Sequence, residues 1–171
     1  MENLVVKKQN KYVYKLKKFL SEYWWQILAS FGGVALVAVL GGLFLAPDAN
    51  WFLNLAKPQF YPPDEIFLII QTILYFLIAI GLVLVLKNNK GKKLIVLYII
   101  NGVLIILWNA VLFSLMSLFV GVIILAILVF FAYLLVKQLF ETNRPAFYLM
   151  LPYFIWLIFT FLLNYSLYFL N

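Results

Sequence analysis

The chain has 171 residues, 67% of them hydrophobic and only 11% charged, with a formal net charge of +7 and a mean hydropathy of +1.05. Soluble domains carry about a quarter charged residues, so this composition excludes a water-soluble globular fold and predicts a membrane protein. Cysteine and histidine are both absent, which removes disulfides, thiol nucleophiles, Ser/His/Asp chemistry and the usual zinc sites, together with the commonest axial ligands of haem iron.

The chain opens on a basic segment, "KKQNKYVYKLKKFLSEYWWQ" from residue 7, in which Tyr12, Leu16, Phe19 and Leu20 recur at helical spacing among lysines. Such a segment can lie in the headgroup plane, with Trp24 and Trp25 anchoring the span that follows, or it can be a solvated tail that fixes topology. Hydropathy places five runs of spanning length at about 24–46, 65–86, 94–114, 118–136 and 147–169. The expected organisation is an all-α membrane protein with a basic amphipathic segment over 1–23 and a five-transmembrane-helix bundle over 24–171. The first run is longer than the core of a signal peptide and "LFLAPDAN" lacks a small-x-small cleavage site, so this span is expected to remain in the mature protein.

Between the first and second runs lies "NWFLNLAKPQFYPPDEIF", residues 50–67, dense in aromatics and prolines. Pro62 and Pro63 end it, and Asp64 with Glu65 opens the next helix, where negative charge suits the positive end of the dipole. Lys57–Pro58 marks another fixed turn. A stiffened loop with an aromatic underside, Trp51, Phe52, Phe60 and Tyr61, predicts a lid, although interfacial aromatics alone give the same composition.

The second run offers Gln71 and Tyr75 one turn apart. The third sets Asn101, Ile105, Trp108 and Leu112 on one stripe, and the fifth does the same with Tyr153, Trp156, Thr160 and Asn164. Polar side chains inside a span are costly unless they face a partner or a cavity, so these stripes point inward. They form either interhelical hydrogen-bond glue or the convergent polar groups of an apolar small-molecule pocket. No span carries a charge near its centre and no paired halves are visible, which argues against a pump or a repeat-built transporter. Gly32, Gly33, Gly41 and Gly42 allow close helix packing, within the bundle or between protomers.

Twelve of the thirteen basic residues fall in the N-terminal segment and the second and fourth loops, with Lys57 alone on the other side. The positive-inside rule then places the N-terminus in the cytoplasm, and the C-terminus and loop 47–64 outside. The same topology, with anionic lipid as counter-charge, accounts for the net charge without nucleic acid. One-sided lysines and the lack of a mitochondrial-type extension point to a bacterial plasma membrane.

The run "WFLNLAKPQFYPPDEIF", then "TILY" at 72–75 and "LPYFIWLIFTFLLNY" at 151–165 resembles the TspO/MBR family, the tryptophan-rich sensory proteins and translocator proteins. That family's loop reads W-x-x-x-L-x-K-P-x-W-x-P-P, followed by W-x-x-L-Y, and its last helix carries P-Y-x-x-W and then L-N-Y. The resemblance implies a five-helix bundle, commonly a homodimer, with a pocket capped by the first loop and no resident cofactor. It implies porphyrin ligands such as protoporphyrin IX, in some members sterols or benzodiazepine-type drugs, and in certain bacterial members light-dependent porphyrin degradation involving Trp51 and Trp156.

Several positions depart from the pattern. Phe60 stands for the second loop Trp, Gln71 for the Trp of W-x-x-L-Y, Asn101 for a Gln, Ile105 for an Asn, Ile124 for an Asp and Thr160 for an Ala, and no base follows the final "LNY". Three functions follow as expectations. The first is a receptor or carrier for a flat hydrophobic ligand, with Trp51, Pro58 and Phe60 in the lid and Phe67, Gln71, Tyr75, Asn101, Trp108, Tyr153, Trp156, Thr160 and Asn164 around the cavity. The second is a metal-free photo-oxidative enzyme in which Trp51 and Trp156 are the catalytic pair. The third is a ligand-free transmembrane regulator or scaffold.

Overall fold

The computed structural model describes the backbone of residues 2–44, 49–87 and 91–171. The side chains of Tyr12, Leu16, Phe19 and Leu20, on which the reading of the basic segment rests, lie outside the described residues. Helix α1 runs Glu2–Leu43 and is broken at Tyr23, whose φ of −118° and ψ of 17° separate the basic segment from the apolar one. A short α2 (Ala49–Leu53) follows in the loop, then α3 (Asp64–Leu86), α4 (Lys92–Asn109), α5 (Leu118–Thr142) and α6 (Arg144–Leu170). Five segments are long and apolar enough to cross a bilayer: Ser21–Leu43 of α1, all of α3, Lys92–Ser114 of α4 with its continuation, α5 and α6. The protein is a five-transmembrane-helix bundle, and no strand occurs among the described residues.

Local sequence sets the helix ends. Proline 63 turns the chain into α3, its carbonyl accepting from Ile66 N and Phe67 N at 3.0 and 3.2 Å, and Asp64 and Glu65 occupy the first turn. The Ser117 hydroxyl accepts from Val120 N at the start of α5. At the start of α6 Asn143 Oδ1 accepts from Ala146 N at 3.2 Å, while Asn143 Nδ2 donates to Leu84 O of α3 at 3.1 Å. One side chain thereby caps a helix and ties it to a neighbour. Helix α4 does not stop cleanly at Asn109: Ala110–Ser114 continues as a wider π-helical turn, and Met116 then reverses the chain at φ 51°. A non-glycine residue there costs of the order of 1 kcal/mol.

The spans pack as a closed ring in the order α1, α3, α6, α5, α4 and back to α1. Helix α5 supplies the densest wall, with Leu125, Leu128, Ala132, Leu135 and Leu139 all fully buried at spacings of three and four. Helix α1 is the most peripheral, 11% buried over its span against 33% for each of the other four. Glycines permit its close approach to α4 at two points, since a Cβ on Gly102 would stand 3.0 Å from Val37 Cγ2 and one on Gly41 2.8 Å from Asn109 Nδ2. The outer faces carry exposed Leu36, Val39, Ile69, Ile73, Ile99 and Ile155, the surface a bilayer solvates. Among the described residues, one gap lies inside the ring at the loop end and another nearer its middle.

Candidate functional site

The gap at the loop end is a cavity of about 600 Å³ walled by α1, α3, α4 and α6, within the usual size range of small-molecule sites. Six of the residues singled out in the sequence line it: Phe67, Gln71 and Tyr75 on α3, Trp108 on α4, and Thr160 and Asn164 on α6. The π-helical turn adds Leu112 and Phe113, and the loop adds Phe52 and Tyr61. The rim on the α1–α3 side is formed by Ala38 and Gly42 with Leu68 and Thr72, the last two exposed.

The walls are mainly apolar, and three of their polar groups differ in how they are satisfied. Thr160 Oγ1 is committed, donating to Trp156 O of its own helix at 2.8 Å. Trp108 Nε1 and Asn164 Oδ1 are buried with no hydrogen-bond partner. A buried donor or acceptor left unmade costs about 1–3 kcal/mol, so these two are the groups a ligand would satisfy. Asn164 is accommodated by Gly121 of α5, where a Cβ would stand 3.3 Å from Oδ1.

The remaining candidates lie elsewhere. Asn101 and Tyr153 line the second, deeper gap, where the Tyr153 hydroxyl donates to Asn101 Oδ1 at 3.2 Å and Asn101 Nδ2 donates to Leu97 O at 2.8 Å. Trp156 faces an outward groove between α3 and α6 with Ile73, Ile155 and Phe159, its ring edge-on to Phe67 at 4.9 Å. Phe60 is exposed and pairs with Phe159 at 6.5 Å, and Pro58 borders an open cleft beside Tyr165 and Phe169. Trp51 is half-buried against Phe52, ring centres 6.5 Å apart. Trp51 and Trp156 are therefore separated by Phe52, Tyr61 and Phe67 in a chain of ring contacts.

The loop is held at three points. Phe52 packs on Phe113 at 5.1 Å, and Tyr61 stacks on Phe67 at 6.1 Å. The Tyr61 hydroxyl donates to Asp64 Oδ1 at 3.0 Å, while Lys57 Nζ reaches Asp64 Oδ2 at 3.9 Å and sits 4.5 Å from the Tyr61 ring centre. Partial burial, then the bond to Asp64 and its charge, raise the Tyr61 phenol above its ordinary value. Finally, Asn171 bonds the Ala56 backbone on both sides: Oδ1 accepts from Ala56 N at 2.9 Å and Nδ2 donates to Ala56 O at 3.1 Å.

The sequence reading took Phe52 and Tyr61 as lid alone rather than wall, placed Leu112 on the inward stripe of the third run, and missed Asn109 and Phe113. The signal for these two was present in "NAVLFS" directly after Trp108, but regular helical spacing turns Phe113 away from the face of Trp108, and the wider turn at Ala110–Ser114 brings it round.

A ring of five spans with a cavity at its loop end defines a polytopic helical membrane protein. The chain belongs to the TspO/MBR family, whose model matches residues 29–170. It is 31% identical over 140 residues to the tryptophan-rich protein TspO of Chlorobaculum tepidum, covering 79% of this chain and 89% of that one. It is 28% identical over 149 residues to the protein of the same name from Archaeoglobus fulgidus, covering 85% and 97%. A tryptophan-rich sensory protein of Cereibacter sphaeroides matches at 25% over 132 residues, covering 77% and 83%.

Proposed function

We propose that this protein is a membrane receptor or carrier that binds a flat hydrophobic ligand, a tetrapyrrole such as protoporphyrin IX, in the cavity under the loop. The observation that carries this reading is the pair of unsatisfied groups, Trp108 Nε1 and Asn164 Oδ1, in a mainly apolar cavity of about 600 Å³. Protoporphyrin IX brings an apolar disc for these walls and propionate oxygens that accept from a wall donor such as the Trp108 indole N–H. Phe67, Tyr75 and Trp108 supply ring faces or edges, and the tethered loop supplies the cover. The name of the Cereibacter relative, a sensory protein, is in keeping with a receptor role.

The family likeness adds a homodimer to this reading, and the clustering of Lys17, Lys18, Lys87, Lys92, Lys93, Lys137 and Arg144 at one end of the bundle supports a cytoplasmic N-terminus in a bacterial plasma membrane. Light-dependent degradation is the second reading. What favours it is Trp156, one aromatic ring behind the cavity wall at Phe67.

The test is a titration of the purified protein with protoporphyrin IX in the dark, followed by the Soret band. Saturable binding that weakens in Trp108→Phe supports the receptor reading, whereas a linear, unsaturable response identical in both proteins contradicts it. Illumination of the saturated sample then separates the two readings: bleaching faster than in an inert helical bundle, and lost in Trp156→Phe, favours the enzyme.

A further inference from the structure

The second gap in the ring is a cavity of about 330 Å³ between α1 and α4, with α3, α5 and α6 behind it. Tyr75 and Ile105 belong to both cavities and form the partition between them. Its rim is made of Leu36 and Leu40 on α1 and Ile99 and Val103 on α4, all exposed on the outer face of the bundle. A molecule would enter it sideways from lipid, not from water.

Three features describe the occupant. Gly33 lines the gap, and a Cβ added there would meet nothing within 4 Å, so the space beside α1 is open and narrow. Tyr98, only 8% exposed, lines the same gap and its hydroxyl has no partner. Gly81 makes room for that hydroxyl, since a Cβ would stand 2.9 Å from it. Lys92, exposed at the start of α4, precedes Ile99, Val103 and Ile106 at spacings of seven, four and three, hence on the face of α4 that borders the gap. It lies six residues from Tyr98, about 9 Å along the helix axis. An apolar slot, a buried hydroxyl donor at its foot and a cation one turn and a half further toward the headgroups match the order of chain, ester and phosphate in a phospholipid.

We propose that the gap between α1 and α4 holds one acyl chain of an anionic phospholipid from the leaflet at the lysine-rich end. Its ester carbonyl accepts from the Tyr98 hydroxyl and its phosphate lies at Lys92. The site is distinct from the loop-end cavity, so occupation of one leaves the other free while both press on Tyr75 and Ile105.

The probe is phosphatidylglycerol with a diazirine in mid-chain, in nanodiscs of phosphatidylcholine carrying the full chain, with crosslinked residues mapped by mass spectrometry. Labelling should concentrate on residues 33–40 and 98–106 and saturate. Gly33→Leu should lower it there about tenfold, because the side chain takes the chain's place. Gly32→Leu is the control: Gly32 is exposed, has equally open space and does not line the gap, so labelling should stand. Tyr98→Phe should lower labelling about threefold, and Lys92→Gln should erase the preference over a matched phosphatidylcholine probe. Even labelling around the whole outer face, or labelling at 33–40 and 98–106 unchanged by Gly33→Leu, overturns the proposal. Porphyrin binding by Gly33→Leu should equal that of the parent protein, so failure here is distinguishable from failure of the loop-end site.

Discussion

Two buried atoms without partners, Trp108 Nε1 and Asn164 Oδ1, hold the functional reading at the scale of single residues. Replacing Asn164 by leucine removes an unsatisfied amide and keeps an apolar side chain of similar size. The ligand-free protein should become more stable by about 1 kcal/mol, read as a raised melting temperature in detergent, while porphyrin affinity should fall. A variant that loses stability without losing affinity would show that the amide serves packing alone. Tyr61 offers a second check. Its phenol is raised, first by burial and then by Asp64, so its contribution to stability is complete below the ordinary tyrosine value and is lost as pH rises through the elevated folded one. Melting curves of the parent protein and Tyr61→Phe should therefore differ at neutral pH and converge only in strong alkali. A difference that vanished below pH 9 would contradict the bond to Asp64.

Single residues also show what was legible in sequence. Along α6, Tyr153, Trp156, Thr160 and Asn164 read as one stripe, yet they reach three different places. At 3.6 residues per turn Trp156 lies about 60° round from Tyr153, toward α3, whereas Thr160 and Asn164 come back to within about 20° of it on either side. Spacings of three and four define a sector, and which neighbour a sector meets depends on the ring order, which no single helix encodes. Tyr153 and Asn164 share a direction but stand three turns apart, so they serve different cavities.

The element proposed as the lid is the loop with α2. Its own sequence explains its stiffness through Pro58, Pro62 and Pro63, and the Asp64 start of α3 was legible for the same reason. The reciprocal tether from Asn171 to Ala56 was not, because it joins positions 115 residues apart. Asn171→Ala frees both backbone groups of Ala56 at once. The Lys57–Asp64 pair is partly exposed and worth at most about 1 kcal/mol, which leaves the ring contacts and the Asn171 tether to hold the loop. The variant should release bound porphyrin severalfold faster with little change in melting temperature, measured by stopped-flow displacement. An unchanged release rate would mean that the loop does not gate the cavity. The π-turn at Ala110–Ser114 belongs to this scale too, since it turns Phe113 onto Phe52 and joins α4 to the underside of the loop.

For the whole molecule, the hydropathy pattern specified a five-span bundle, because an apolar surface solvated by lipid leaves helices as the available structure for uninterrupted runs of this length. The ring order α1, α3, α6, α5, α4 is what creates interior space, and the two gaps fall where α1, the least buried span, meets its neighbours. Each gap has its own glycine with open space beside it: Gly42 at the loop-end cavity and Gly33 at the deeper one. That pairing permits the most direct test of the central claim, dark titration of protoporphyrin IX against the parent protein, Gly42→Leu and Gly33→Leu, with melting temperatures recorded for all three. Binding should be saturable in the parent, reduced at least tenfold in Gly42→Leu and retained in Gly33→Leu. Folded Gly42→Leu that binds as tightly as the parent would contradict the claim that the cavity beneath the loop is the ligand site.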